Sequence, residues 1–280
     1  MWYDPTMNAQ TVAPPIDPHE RLAPVGLPPL LAGDRLTVAE FERRYRAHPE
    51  IKKAELIEGM VYMPSPVKHQ QHGAPHLFLS TWVGTYLAAT PGVDASDNAT
   101  LRLDNANQPQ PDILLRIDRA LGGRSFVGPD DYLTGAPALI VEVAASSANY
   151  DMHAKKPAFA RNGVQEYLLV LTYEQTVHWF ALHEGDYDEL AHDAEGVLRS
   201  EVFPGLWMQP AALWGNDLAA LLAVLQQGLA SPEHAAFVAG VTSPQLRLKL
   251  SSLHYGDHNI VNLLSVAIVA ARATIVLIHR

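Results

Sequence analysis

The chain has 280 residues, a formal net charge of −10 and no cysteine. Its length allows one good-sized domain with extensions or two small ones, and the lack of cysteine excludes disulfide scaffolds, thiolate zinc sites, iron–sulfur clusters and cysteine nucleophiles. With 48% hydrophobic and 18% charged residues a packed core is expected, and the acidic balance argues against a protein that coats nucleic acid by bulk charge.

Residues 1–33 carry Pro5, Pro14, Pro15, Pro18, Pro24, Pro28 and Pro29. Such a stretch cannot run as a helix and lacks the alternation of a strand, so it reads as an extended arm. Its first ten residues have neither a basic region nor an apolar run, and a cytoplasmic location is expected. Thr37 and Glu40 then form a T-x-x-E capping box for a helix carrying Val38, Phe41 and Tyr45 on one face. AELIEGMVYMP reads as a tight β-hairpin turning at Glu58-Gly59.

Residues 69–89 read as a second helix with Leu79, Val83 and Leu87 on one stripe. Strands are expected near 99–103, 111–117 and 138–145, the last two apolar enough to be interior. Asp151 to Asn162 reads as a helix capped by Asp151 and closed by Gly163. EYLLVL and TVHWFAL are strands joined through Tyr173-Glu174-Gln175. YDELAHDAEGVLRSEVF reads as a further hairpin turning at Glu195-Gly196. Pro210 to Gly228 reads as one helix, and Pro232 starts another.

This divides the chain into an arm over 1–33, a domain over 34–213, a helical extension over 214–240 and an atypical apolar tail over 241–280. IVNLLSVAIVAARATIVLI in the tail has the length of a membrane span, but Asn262 and Arg272 inside it argue against one: a central Arg costs roughly 2.5–3.5 kcal/mol on insertion scales.

Asp112 follows Pro111 at the head of an apolar strand, and Glu142 lies in the middle of the next. A carboxylate in such a run is costly to bury unless it is paired or binds a metal. Asp151 and Lys155, at i and i+4, share a helix face. Without thiolates, oxygen ligands of this kind suit Mg²⁺ or Mn²⁺. Phosphodiester hydrolysis needs such a cation, an activated water and neutralisation of the charge that develops. Glu55 can complete a ligand set from the hairpin. The plain alternative is a structural ion pair between Glu142 and Lys155. His69, His72 and His76 lack a zinc-protease pattern, and no G-x-S-x-G elbow or phosphate loop is present.

The order P-D, then E inside an apolar strand, then a lysine resembles the PD-(D/E)XK restriction-endonuclease-like superfamily. The motif's lysine position, two residues after Glu142, is Ala144. The closer resemblance is to the Uma-type family of restriction endonucleases, in which the lysine has moved to the following helix. It covers about residues 36–213 and rests on AELIEGMVYMPSPVKHQ, QPQPDILL, ALIVEVAASS, DMHAKKPAFARNGVQEYLLV and VFPGLW.

The resemblance implies an α/β fold with a mixed β-sheet flanked by α-helices. It implies Asp112 and Glu142 as metal ligands for Mg²⁺ or Mn²⁺, Glu55 as the early glutamate completing the set, and Lys155 rather than Lys156 as the catalytic lysine. His69 matches a position expected to reach the site indirectly. The expected activity is endonucleolytic cleavage of DNA by a homodimer. Ala145 and Ser146 stand where Ser-Pro is frequent, and Phe159 stands where tyrosine is usual. These departures and the acidic charge keep a second reading open, a catalytically inactive DNA-binding or protein-interaction module on the same fold.

Overall fold

The computed structural model describes residues 26–145 and 147–242; the first 25 residues, Ser146 and the tail from 243 onward lie outside them, and with them most of the expected arm and the apolar tail. Helix α1 (Val38–Ala47) is followed by a hairpin of β1 (Glu55–Ile57) and β2 (Met60–Tyr62). Thr37 caps α1 as expected, its hydroxyl oxygen accepting the Glu40 N–H at 3.3 Å. Glu40 does not complete the capping box, because Arg43 and Arg44 take its carboxylate. Glu58 and Gly59 turn the hairpin with φ of 52° and 70°, the left-handed pair a two-residue hairpin loop needs. Leu30, Phe41, Ala54, Leu56 and Val61 close a small core beneath it, so the end of the Pro-rich stretch is packed.

A π-helical turn at His69–Gly73 leads into α2 (Ala74–Ala89). The strands β3 (Val93–Asp97), β4 (Leu101–Arg102), β5 (Ile113–Ile117), β6 (Phe126–Val127), β7 (Leu133–Thr134) and β8 (Leu139–Ala144) follow. A helical turn α3 (Ala148–Tyr150), a second π-helical turn (Asp151–Lys155) and α4 (Lys156–Asn162) cross over to β9 (Glu166–Leu171) and β10 (Thr176–His183). The described chain finishes with β11 (Asp186–Glu189), β12 (Leu198–Arg199), β13 (Trp207–Met208), α5 (Pro210–Trp214), α6 (Leu218–Leu229) and α7 (Pro232–Thr242).

The central sheet runs β11-β10-β9-β8-β5-β3. Only β8 and β9 are parallel within it; the other neighbours are antiparallel. The sheet is therefore mixed, as expected, and the one parallel pair forces a crossover that lays α4 on a face. Alternation in β8 and β9 sorts the side chains between two cores. Val141, Val143, Leu168 and Val170 pack with Leu79, Trp82, Val83 and Tyr86 of α2 and Leu221 and Leu225 of α6. Ile140, Ala144, Tyr167 and Leu169 pack with Phe159 of α4. Each fully buried aliphatic side chain here contributes about 1.5–3 kcal/mol.

Three expectations are corrected. The strand near 99–103 shrinks to Leu101–Arg102 in a separate small sheet with β6 and β7, and β3 takes the sheet edge instead. Its sequence, VDASD, is half polar because an edge strand faces water. The hairpin at Glu195-Gly196 does not form: β11 pairs back on β10 through Glu184-Gly185, and β12 pairs with β13. Residues 193–197 are a turn tied by the Asp193 carboxylate to the Glu195 and Val197 N–H groups. The single helix over 210–228 is broken at Gly215, Asn216 and Asp217, where Asn216 has φ 53° and Asp217 caps α6. Asp217's own hydrogen bond to Ala220 N–H competes with helix continuation.

Glu166 is fully buried at the start of β9. Its carboxylate accepts hydrogen bonds from Ser200 Oγ at 2.7 Å, Glu201 N–H at 2.6 Å, Val202 N–H at 3.0 Å and Trp179 Nε1 at 3.2 Å. Burial pushes its pKa from 4.5 to about 7, and these donors only partly oppose the rise. The folded protein therefore binds this proton more tightly than the unfolded chain. The Glu166 contribution to stability is full below pH 4.5 and falls away as pH rises to about 7, by roughly 3 kcal/mol. Glu166→Gln removes this slope. Denaturation midpoints from pH 4 to 8 check it: the variant should gain on wild type as pH rises, and parallel curves would refute the assignment.

Candidate active site

Pairing of Ile113 with Val141 between β5 and β8 sets Asp112, one residue earlier, opposite Glu142. Their side chains replace the backbone ladder at this point. Asp112 Oδ2 accepts the Val143 N–H at 2.8 Å, and the Asp112 N–H points to Glu142 Oε2 at 3.4 Å. The same alternation that buries Ile140 and Ala144 against α4 turns Glu142 to the crossover side. That crossover carries Lys155, which is how residues 13 apart meet: Lys155 Nζ donates to Glu142 Oε1 at 2.7 Å.

Lys155 is 3% exposed and collects two more carboxylates, Glu55 Oε2 at 3.1 Å and Asp151 Oδ1 at 3.3 Å. Glu55 arrives from β1 because Leu56 and Gln108 exchange backbone hydrogen bonds, docking the hairpin on the segment before Pro111. The Gln110 N–H then fixes Glu55 Oε1 at 2.7 Å. Asp151 was expected to cap its helix; it lies inside the π-helical turn instead, buried against Lys155. Lys156 points elsewhere, its Nζ 3.6 Å from the centre of the Phe180 ring. Phe159 packs edge-on to Tyr167 in the core at 5.1 Å, so the missing hydroxyl there leaves the Lys155 cluster intact. Tyr150 stacks on Tyr62, its ring 5.1 Å from Lys155 Nζ, and its buried hydroxyl has no hydrogen-bond partner.

Three carboxylates around one ammonium leave an excess of negative charge in a dry place. Burial pushes Glu142 well above the usual carboxylate range, with Lys155 pulling it back only in part. Burial raises Asp151 as well. For Lys155, burial works against the charged form, but Glu142, Glu55 and Asp151 outweigh it and hold the ammonium well above the ordinary lysine range. Desolvation of this size is tolerated only where the charges are paired or a further cation joins them.

Among the described residues no three His, Asp or Glu side chains stand together as a ready metal shell. The reason is local: Lys155 sits where Glu55, Glu142 and Asp151 converge. Of the Asp112, Glu142 and Glu55 set read from the sequence, Glu55 and Glu142 meet at Lys155 Nζ, and Glu55 Oε1 is further held by the Gln110 N–H. Glu142 Oε2 and Asp112 Oδ1 are the oxygens that Lys155 does not take. Two carboxylate oxygens on adjoining strands, with a buried excess of negative charge behind them, fit a hard divalent cation.

The sequence reading named His72 and set it aside with His69 and His76 for want of a zinc-protease pattern. His72 approaches Asp112 Oδ1 with Nε2 at 3.6 Å, while its Nδ1 lies 2.9 Å from the Val143 carbonyl. His69, the histidine expected near the site, lines an open groove with Gln70, Gln71, Phe78, Thr172 and Trp214. A signal was available. Leu79, Val83 and Tyr86 follow His72 at intervals of 7, 11 and 14, a helical register that turns His72 towards the sheet with them.

A family model described as "Putative restriction endonuclease" (Uma2) matches residues 38–212. Among solved structures, a protein from Anabaena variabilis ATCC 29413, described as "a putative nuclease belonging to DUF820", has 16% identity and a TM-score of 0.49. That match covers 65% of this chain and 98% of the other. No match is found among curated proteins. No helix among the described residues is long and apolar enough to cross a membrane.

Proposed function

The chain belongs to the Uma2 family, and we propose that it is a metal-dependent endonuclease that hydrolyses DNA phosphodiester bonds at the Asp112–Glu142–Lys155 cluster. The observation that carries this is Lys155, buried among the carboxylates of Glu55, Glu142 and Asp151, with Glu142 Oε2 and Asp112 Oδ1 not bound by it. Asp112 and Glu142 would hold Mg²⁺ or Mn²⁺. When bound, the cation supplies Lewis-acid polarisation of the phosphate and lowers the pKa of a nearby water.

The chain's own residues do the rest. The Lys155 ammonium supplies a fixed, desolvated positive charge behind the phosphate as negative charge grows there. Glu55 and Asp151 keep Nζ in place. With a net charge of −10 the chain's affinity for DNA rests on this local chemistry and not on bulk attraction, so its salt dependence should be shallow.

A second reading has one observation in its favour. The Lys155 contacts also describe a closed structural ion cluster, which would make the chain a non-catalytic module on a nuclease fold. Calorimetric titration of Mn²⁺ into wild type and the Asp112→Ala/Glu142→Ala variant, with supercoiled-plasmid nicking on the same samples, separates the two. Binding and nicking in wild type, both lost in the variant and with EDTA, are the expected result. Wild type that neither binds Mn²⁺ nor nicks DNA would leave the structural cluster as the better account.

A further inference from the structure

We propose that the open groove at His69 is a nucleobase-binding subsite, and that the chain's substrate is DNA with unpaired nucleotides beside the cleaved phosphate. The inference rests on the nuclease reading above and gives it a substrate class.

The groove encloses about 440 Å³, within the roughly 300–1,000 Å³ of small-ligand sites. It opens beyond the carboxyl ends of β8 and β9, the parallel pair of the central sheet. Thr172, directly after β9, ties it to the cluster. The Thr172 N–H donates to the Ala144 carbonyl at 2.9 Å, and its Oγ1 donates to the Gln71 carbonyl at 2.8 Å. Ala144 is two residues past Glu142, about 7 Å along the strand. Gln71 in turn precedes His72, whose Nδ1 lies 2.9 Å from the Val143 carbonyl. A nucleotide seated in the groove is therefore a near neighbour of a phosphate at Asp112 and Glu142.

The lining selects the part of a nucleic acid that fits. None of its residues is Lys, Arg, Asp or Glu, although the chain carries 20 basic and 30 acidic residues. Without cations the groove is no phosphate seat, and without carboxylates it does not repel the strand. It offers instead two half-buried rings, Phe78 and Trp214, and the polar side chains of His69, Gln70, Gln175 and Asn216. Aromatic rings stack on bases of any sequence, and side-chain amides match the donors and acceptors of base edges. Tyr173, between the lining residues Thr172 and Gln175, is 53% exposed and adds a ring at the rim. In a duplex the neighbouring bases cover each base's faces and only its edges reach the grooves, so stacking here requires an unpaired base. For a chain with a net charge of −10, stacking supplies affinity that bulk attraction to phosphate does not.

The test uses the full chain and a short single-stranded oligodeoxynucleotide carrying one 2-aminopurine, titrated in EDTA and again in Ca²⁺. Expected are quenching of the 2-aminopurine fluorescence and binding of the single strand at least about 5-fold tighter than the same sequence as duplex. Trp214→Ala should weaken single-strand binding by about 5-fold or more. Gln70→Ala/Gln175→Ala, at two exposed positions, should weaken it with the melting temperature unchanged. A strand of abasic sugar-phosphate should compete poorly, a control that holds even if Trp214→Ala fails to fold. Equal affinity for single strand, duplex and abasic strand, or unchanged binding by both variants, overturns the inference; plasmid nicking by the same wild type in Mn²⁺ then leaves the nuclease reading standing. Base-dependent binding without nicking overturns the nuclease reading and, with it, the substrate assignment, and leaves a base-binding groove on a non-catalytic module. A wild type that binds no oligonucleotide overturns the subsite whether or not it nicks.

Discussion

Lys155→Ala is expected to abolish plasmid nicking and to lower stability by about 3–5 kcal/mol, the cost of removing one partner from a buried ion cluster. The side chain is 3% exposed, and three carboxylates depend on its ammonium. Removing it leaves Glu55 and Asp151 without their counter-ion and Glu142 without its hydrogen-bond donor in a desolvated pocket, and opens a cavity at the crossover. For a described region of this size the melting temperature should fall by about 10 °C or more. Circular dichroism melts in EDTA beside nicking assays measure both effects. Full activity would remove Lys155 from the site, and an unchanged melting temperature would show that the carboxylates are not charged against it.

Glu142→Gln should separate activity from stability in the opposite direction. Glu142 contributes to the excess of negative charge, and burial already pushes it towards its neutral form. A neutral amide of the same shape relieves that repulsion and keeps an oxygen for Lys155 Nζ. In EDTA the variant should melt at or above the wild-type temperature. Nicking should fall by at least about 100-fold, since one anionic ligand and its electrostatic support are gone. Stability held in reserve at an active site behaves in this way. A variant that melts well below wild type would mean that Glu142 is ionised and structural, as in a plain ion pair with Lys155.

The candidate site was partly legible from residues alone. Glu142 stood out because a carboxylate between Val141 and Val143 in an all-buried strand demands a partner, and the pairing with Lys155 follows from a strand–helix–strand unit whose parallel strands force the helix back over the sheet. Asp112 was marked by Pro111 and the apolar run after it. Asp151 was visible as an i, i+4 neighbour of Lys155, but its role as a cap was misread, because a π-helical turn is not encoded by any periodicity in DMHAK. The hairpin over 187–203 was misplaced for a similar reason. Glu195-Gly196 is a sound local turn signal, yet β11 finds its partner in β10 across Glu184-Gly185.

The sequence by itself determined the elements whose periodicity is strong, α1, the first hairpin, α2, β5, β8, β9 and β10, while the mixed sheet came only as an implication of the family resemblance. Local patterning suffices there because burial on a face repeats every two or 3.6 residues. Only the tertiary structure decided which oxygens Lys155 occupies, how Glu55 docks through Leu56 and Gln108, and that His72 and not His69 meets Asp112. Apart from Lys155 and Asp151, those contacts join segments 13 to 100 residues apart; helical register can turn His72 towards the sheet, but which oxygen it meets depends on strand register and helix placement.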